Sequence, residues 1–172
     1  MGSIRFGILT ISDRSYRGER PDASGPVLEE AVVSSGWEVR KRAIVPDDQV
    51  EIQQVLIAWA DSAEVDIILT TGGTGFSPRD VTPEATLASI ERLAPGIAET
   101  MRASSLKVTP HAMLSRAMAG IRKHTLIVNL PGSPRAALEN LESISGVLPH
   151  AVELLSSDPF AEAGHTFSPP AN

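Results

Sequence analysis

VDIILTTGGTGFSPRDVTPEAT occupies residues 65–86. It opens with a short, continuous apolar run, Val65–Thr71, as expected of a strand covered on both faces. Glycines follow at 72, 73 and 75. Thr82 then reads as a helix N-cap and Pro83 as a first helical residue. Leu87, Ile90 and Leu93 supply that helix with a buried face at helical spacing. A covered strand, a glycine turn and a helix in succession form the building unit of parallel α/β sheets.

The same alternation extends to both sides. IRFGILTI (Ile4–Ile11) is rich in β-branched and apolar residues and ends in the turn-like SDR. SYRGERPDASG is polar and punctuated by Gly and Pro, and reads as a loop. Val27, Leu28, Ala31 and Val32 mark a helix over Ser24–Ser35, closed by Gly36. Trp37–Val45 alternates as a second strand. From Asp48, the positions Ile52, Val55, Leu56 and Trp59 mark a second helix. Beyond the glycine loop, Pro95-Gly96 reads as an interruption and Ile97–Leu106 as a further helix. Two apolar runs flank Arg122-Lys123-His124 and predict a β-hairpin, with TLIVNL (Thr125–Leu130) as its stronger strand. PGSP is a turn, and Ala136–Leu141 and Val147–Leu155 are the last helices. The order predicts a three-layer α/β sandwich with a mostly parallel sheet and an added hairpin. Residues 1–156 read as one domain. Residues 157–172 have little periodicity and are expected to be an extended or disordered tail.

Composition narrows the function classes. The chain has 172 residues, a net charge of −6 and no cysteine. Disulfides, Cys-based zinc sites and thiol catalysis are therefore excluded. Lys and Arg are scattered rather than gathered in a basic stripe, so no nucleic-acid partner is expected. No apolar run approaches the ~20 residues of a membrane span. MGSIRF leads straight into a strand-like run, with no signal-peptide pattern. Phe6 stands where the myristoylation pattern asks for Ser or Thr. A cytoplasmic protein without a membrane partner is the expectation.

In open α/β sheets, ligands bind beyond the carboxyl ends of the strands. Three loops leave such ends here: SDR, GGTG and PGSP. Glycines let backbone N–H groups approach an anion, and a following helix adds its dipole. GGTG alone fits either a tight packing turn or a phosphate cradle, and it is neither a Walker A nor a GxGxxG motif. Asp80 alone fits an exposed carboxylate or a cap, as do Asp47 and Asp48. Together with a phosphate loop they read differently, because carboxylates repel phosphate unless a cation lies between them. Mg2+ takes oxygen ligands from one or two carboxylates plus substrate phosphates. That points to metal-dependent phosphoryl or nucleotidyl transfer. His111, His124, His150 and His165 lack metal-ligand spacing and read as structural or exposed. Ser115 has no nucleophile elbow around it. Trp37 and Trp59 read as core.

TTGGTGFSPRDVTPEAT, LKVTPHAMLSRAMAGIRKHTLIVNLPGSP, ILTISDR and VPDD, in their order, resemble the molybdenum cofactor biosynthesis family. Within it they are most similar to the molybdopterin adenylyltransferase group. The resemblance spans roughly residues 4–155. It implies that the terminal phosphate of molybdopterin attacks the α-phosphate of ATP with Mg2+ present, and pyrophosphate leaves. It also implies a three-layer α/β fold, a homotrimer and a molybdenum-insertion enzyme as partner. By motif, Asp47 and Asp80 are the implied Mg2+ ligands and catalytic residues. The family usually has PDE at VPDD, and Asp47, directly after the proline, is preferred over Asp48. The implied substrate-binding residues are Ser12 and Asp13 on the first loop and Thr71, Gly72, Gly73, Thr74 and Gly75 on the second. Ser115, Arg116 and Asn129 join them, with Pro131, Gly132 and Ser133 on the third loop. Arg14, Arg79 and Arg116 are candidate electrostatic helpers. A binding module that only presents the pterin, or an unrelated Mg2+-dependent phosphotransferase, are the alternative readings.

Overall fold

A computed structural model describes residues 3–156. The tail expected over 157–172, and His165 with it, lie outside the described residues. The β-strands are β1 (Arg5–Ile11), β2 (Glu38–Val45), β3 (Ile67–Thr71), β4 (Arg92–Leu93), β5 (Ala119–Arg122) and β6 (Thr125–Leu130). The helices are α1 (Asp13–Tyr16), α2 (Ser24–Ser34), α3 (Gln49–Asp61), α4 (Thr82–Ser89), α5 (Pro95–Leu106), α6 (Pro134–Ser145) and α7 (Leu148–Leu155). A 3-10 turn covers Pro110–Leu114.

The sheet order is β2-β1-β3-β6-β5-β4. The first four strands run parallel, and β5 and β4 are added by antiparallel pairing. Side chains alternate between two cores, as the period of a strand requires. Phe6, Ile8, Ile67, Leu69, Leu126 and Val128 face one core, with α2, α5, α6 and α7 over them. Leu9, Ile11, Ile68 and Ile127 face the other, under α3 and α4. This is the three-layer, mostly parallel α/β fold with a hairpin read from the sequence. Trp37 and Trp59 lie partly buried at the margins of these two cores, and Trp37 stacks on Phe6 at 5.3 Å.

Four local expectations are corrected. SDRSY is not all loop: Ser12 caps α1 by accepting from the Ser15 N–H (3.2 Å). Thr82 does not cap α4; Val81 holds that position, and the Thr82 hydroxyl donates to the Gly72 carbonyl (2.9 Å). The buried face of α4 is made of small residues, Thr82, Pro83, Ala85, Thr86 and Ser89. Leu87 and Leu93 are exposed, and Leu93 belongs to β4 rather than to a helix. Pro95-Gly96 starts α5 rather than interrupting the chain, since proline is pre-organised for the first helical turn. Among the described residues, no helix is long and apolar enough to cross a membrane.

Candidate active site

The chain passes from β1 outward to β2 and then back across β1 to β3, so the direction of winding reverses between β1 and β3. Loops diverge at such a point and leave a crevice at the carboxyl ends of the strands. A cleft of about 730 Å³ occupies that place, lined by the ends of β1 and β3, by Asp47 after β2, and by the turn after β6.

The glycine loop fits there only as glycine. Gly72 has φ 105°, and a β-carbon on it would collide with the Ile11 carbonyl oxygen. Gly73 has φ 63°, and a β-carbon there would strike the Thr82 hydroxyl. Both lie in the left-handed half of backbone space, where side chains are strained. The turn after β6 packs as closely: a β-carbon on Gly132 would stand 3.3 Å from the Gly72 Cα. Thr71 ties the two loops by donating its hydroxyl to the Pro131 carbonyl (2.7 Å).

The carboxylates are distributed unequally. Asp48 caps α3, accepting from the Val50 and Glu51 N–H groups at 2.9 and 3.0 Å. Asp47 lines the cleft instead. Its Oδ2 accepts from the Asp13 N–H (2.8 Å), and its own N–H donates to Asp13 Oδ1 (3.1 Å). Its Oδ1 faces Gly73, 3.2 Å from where a β-carbon would stand. Asp80 lines the same cleft, and its Oδ2 accepts from the Ser77 N–H (2.9 Å). Burial pushes the Asp47 carboxyl above the ordinary aspartate range, and the charges of Asp13 and Asp80 push the same way. Asp13 is held below its ordinary value, chiefly by hydrogen bonds from Arg79.

Of the residues singled out in the sequence, Ser12, Asp13, Asp47, Thr71, Gly72, Gly73, Asp80, Gly132 and Ser133 line the cleft. Thr74, Gly75, Ser115 and Pro131 line a second, largely apolar pocket of about 280 Å³. Residues 71–75 thus form a partition, with Gly72 and Gly73 in one chamber and Thr74 and Gly75 in the other. Arg116 braces this partition from behind. It donates to the carbonyls of Gly75 (2.8 Å) and Asp80 (2.6 Å) and pairs with Glu84. Glu84 is held below its usual value mainly by that pairing. Asn129 is buried, and its amide donates to the Thr70 and Thr86 hydroxyls (3.0 and 2.8 Å) while its oxygen accepts from the Met118 N–H (3.3 Å). It supports β3 and α4 beneath the partition.

Sequence reasoning missed Asp22, Arg17 and Arg20, which also line the cleft. The Asp22 carboxylate is buried against the Thr10 hydroxyl (2.8 Å) and the Gly25 N–H (3.0 Å). The polar residues between β1 and α2 read only as a loop, and nothing in that pattern shows Asp22 folding back on Thr10 and meeting Arg42 from β2.

Residues 7–150 match the family described as a probable molybdopterin binding domain. The chain belongs to the molybdenum cofactor biosynthesis family. It is 40% identical over 158 residues to the molybdopterin adenylyltransferase of Helicobacter pylori (strain J99), covering 90% of this chain and 89% of that protein. It is 46% identical over 159 residues to the molybdenum cofactor synthesis protein cinnamon of Drosophila melanogaster. That match covers 92% of this chain but only 26% of the much longer relative. The crystal structure of the molybdopterin biosynthesis enzyme MoaB from Thermus thermophilus is similar with a TM-score of 0.85 at 49% identity. It covers 90% of this chain and 98% of that one.

The donor chemistry of this family member's cleft suits a hard cation. Asp47 and Asp80 offer carboxylate oxygens beside the glycine loop, and among the described residues no cluster of three or more His, Asp or Glu is arranged to hold a metal. Mg2+ is commonly held in this way, by one or two carboxylates and the phosphates of a substrate.

Proposed function

We propose that the chain is a molybdopterin adenylyltransferase acting in the cytoplasm. An oxygen of the terminal phosphate of molybdopterin attacks the α-phosphorus of ATP. The bond from that phosphorus to the bridging oxygen breaks, and pyrophosphate departs with the electron pair, leaving adenylylated molybdopterin. The observation that carries this reading is the meeting of Asp47 and Asp80 on one cleft walled by the glycine loop and the turn after β6. The close relatives named for this activity support it.

Each part of the site has a task in this reading. Asp47 and Asp80 would hold Mg2+, which when bound offsets the charge that develops on the departing phosphates. Ser12 and Ser133 bring hydroxyls to the cleft, Gly72, Gly73 and Gly132 let the backbone come close to a phosphate there, and Thr71 fixes the spacing of the two glycine-bearing loops. Thr74, Gly75, Ser115 and Pro131 face the second pocket. Two chambers divided by one loop suit two substrates whose phosphates react at the partition. Preset N–H groups and charges lower such a barrier without reorganising during the reaction. Arg116 and Asn129 act from behind the partition. Residues 1–156 would form the molybdopterin-binding and adenylyltransferase domain, working as a homotrimer that passes its product to a molybdenum-insertion enzyme.

The decisive experiment mixes the purified protein with molybdopterin and Mg-ATP and follows pyrophosphate. Release that requires molybdopterin is expected. Release without it would favour a phosphotransferase with another acceptor. Tight binding of molybdopterin with no release would favour a presenting module.

A further inference from the structure

Asp13 stands among the implied substrate-binding residues and Arg79 among the electrostatic helpers, yet their side chains are already engaged. The Arg79 guanidinium grips both oxygens of Asp13, with Nε to Oδ2 at 3.0 Å and Nη2 to Oδ1 at 2.9 Å. Asp13 in turn exchanges two hydrogen bonds with Asp47. The loops after β1, β2 and β3 are thereby linked in one chain of contacts. Its ends are Asp47 and the residue directly before Asp80. On the far side, Arg116 holds the Asp80 carbonyl (2.6 Å). The segment carrying Asp80 is therefore tethered on two sides, by its own Arg79 to Asp13 and through the Asp80 carbonyl to Arg116.

The Arg79 side chain is 60% exposed, so its ion pair contributes little to the stability of the fold. A bidentate pair is nevertheless directional, because the planar fork matches a carboxylate in one orientation. Placed beside the cleft, it has leverage on geometry rather than on folding. Four carboxylates, Asp13, Asp22, Asp47 and Asp80, line that cleft, and Asp22 is taken up by the Thr10 hydroxyl, the Gly25 N–H and Arg42. Arg79 neutralises Asp13, which then acts as a hydrogen-bonding strut instead of a charge competing with Asp47 and Asp80. The Asp13 N–H holds Asp47 Oδ2, which leaves Oδ1 facing the glycine loop.

We propose that Asp13 and Arg79 are positioning residues: as a clasp between the loops after β1 and β3, they set the aim and separation of Asp47 and Asp80. The clasp rests on the adenylyl-transfer reading only for what the carboxylates do, and its effect on cation binding can be measured without turnover. Partners that orient metal ligands commonly change metal affinity or activity by about 10–100-fold when removed.

The test compares wild type, Arg79→Ala, Arg79→Lys, Asp13→Asn and the double variant Asp13→Asn/Arg79→Ala. Mn2+ is titrated by its electron paramagnetic resonance signal in the presence of a non-hydrolysable ATP analogue, and molybdopterin-dependent pyrophosphate release is measured in parallel. Expected are a roughly 10-fold loss of Mn2+ affinity and of kcat in Arg79→Ala and in Asp13→Asn, with KM for molybdopterin unchanged. The double variant should be no worse than either single one, and Arg79→Lys should recover part of the loss. Unchanged Mn2+ affinity with a raised KM for ATP would overturn the proposal, because Arg79 would then hold phosphate directly. Losses that multiply in the double variant would also overturn it. If the wild type releases no pyrophosphate, the activity reading fails, and the Mn2+ titrations still decide the clasp.

Discussion

Asp47 carries two opposed demands. Burial and two neighbouring carboxylates raise its proton affinity, although a cation ligand must be ionised. A carboxyl whose folded value is raised favours the fold when protonated, and that contribution is lost as pH rises through the folded value. At neutral pH, an ionised Asp47 therefore costs stability. Asp47→Asn should melt above wild type at pH 7, and the difference should shrink as pH falls below the raised Asp47 value, where wild type is protonated too. Calorimetry across that range checks the sign. The same variant should lose Mg2+-dependent turnover while keeping pterin binding, and titration with molybdopterin separates the two. Asp80 is held at its backbone by Arg116 and through Oδ2 by the Ser77 N–H. Asp80→Asn should keep this frame and lose one charge. Turnover is expected to fall about 10²-fold or more, as when one key electrostatic group is removed, with pyrophosphate release as the readout.

At the scale of elements, α4 is unusual because its inward face is polar and small. It does not pack by interdigitating large apolar side chains. It is stitched to the sheet through Thr86 and Asn129 and to the glycine loop through Thr82. This lets the helix sit close behind the partition. Asn129→Ala should therefore do more than open a small cavity. It strands the Thr70 and Thr86 hydroxyls and the Met118 N–H, and buried polar groups without partners cost about 1–3 kcal/mol each. Chemical denaturation should show a lower midpoint with an unchanged slope. A variant as stable as wild type would mean that α4 is held by other contacts.

Across the whole molecule, the turn of the hairpin is tied back to the end of α3. Arg122 grips both Asp61 oxygens (2.9 and 2.8 Å), and Lys123 adds a third contact (3.0 Å). Arg122, with help from Lys123, holds the Asp61 carboxyl at about 2. A lowered carboxylate contributes stability above its unfolded value, and loses it as pH falls through the folded one. Asp61→Asn should thus lower the Tm near neutral pH, with the gap to wild type closing between about pH 4 and pH 2. Thermal melts at a series of pH values test this. A constant gap would place the effect in packing rather than charge.

Local pattern was enough to give the layers, the parallel strands and the hairpin, because periodicity and glycine turns are properties of neighbouring residues. GGTG and PGSP were legible in the same way, as turns at the carboxyl ends of strands, whereas LSR was marked only by the family resemblance. Several other features depended on distant partners. Thr82 has the sequence of a cap, but its hydroxyl is taken by Gly72 once the loop folds back. Asp47 and Asp48 are alike on paper, and only the start of α3 assigns one to a cap and the other to the cleft. Ser115 and Asp80 both lie near the glycine loop, yet the partition places them in different chambers. Asp13 and Arg79 stand 66 residues apart. Local propensity carries no information about such a pair, since a hydrogen bond between distant residues exists only after the strands have brought their loops together.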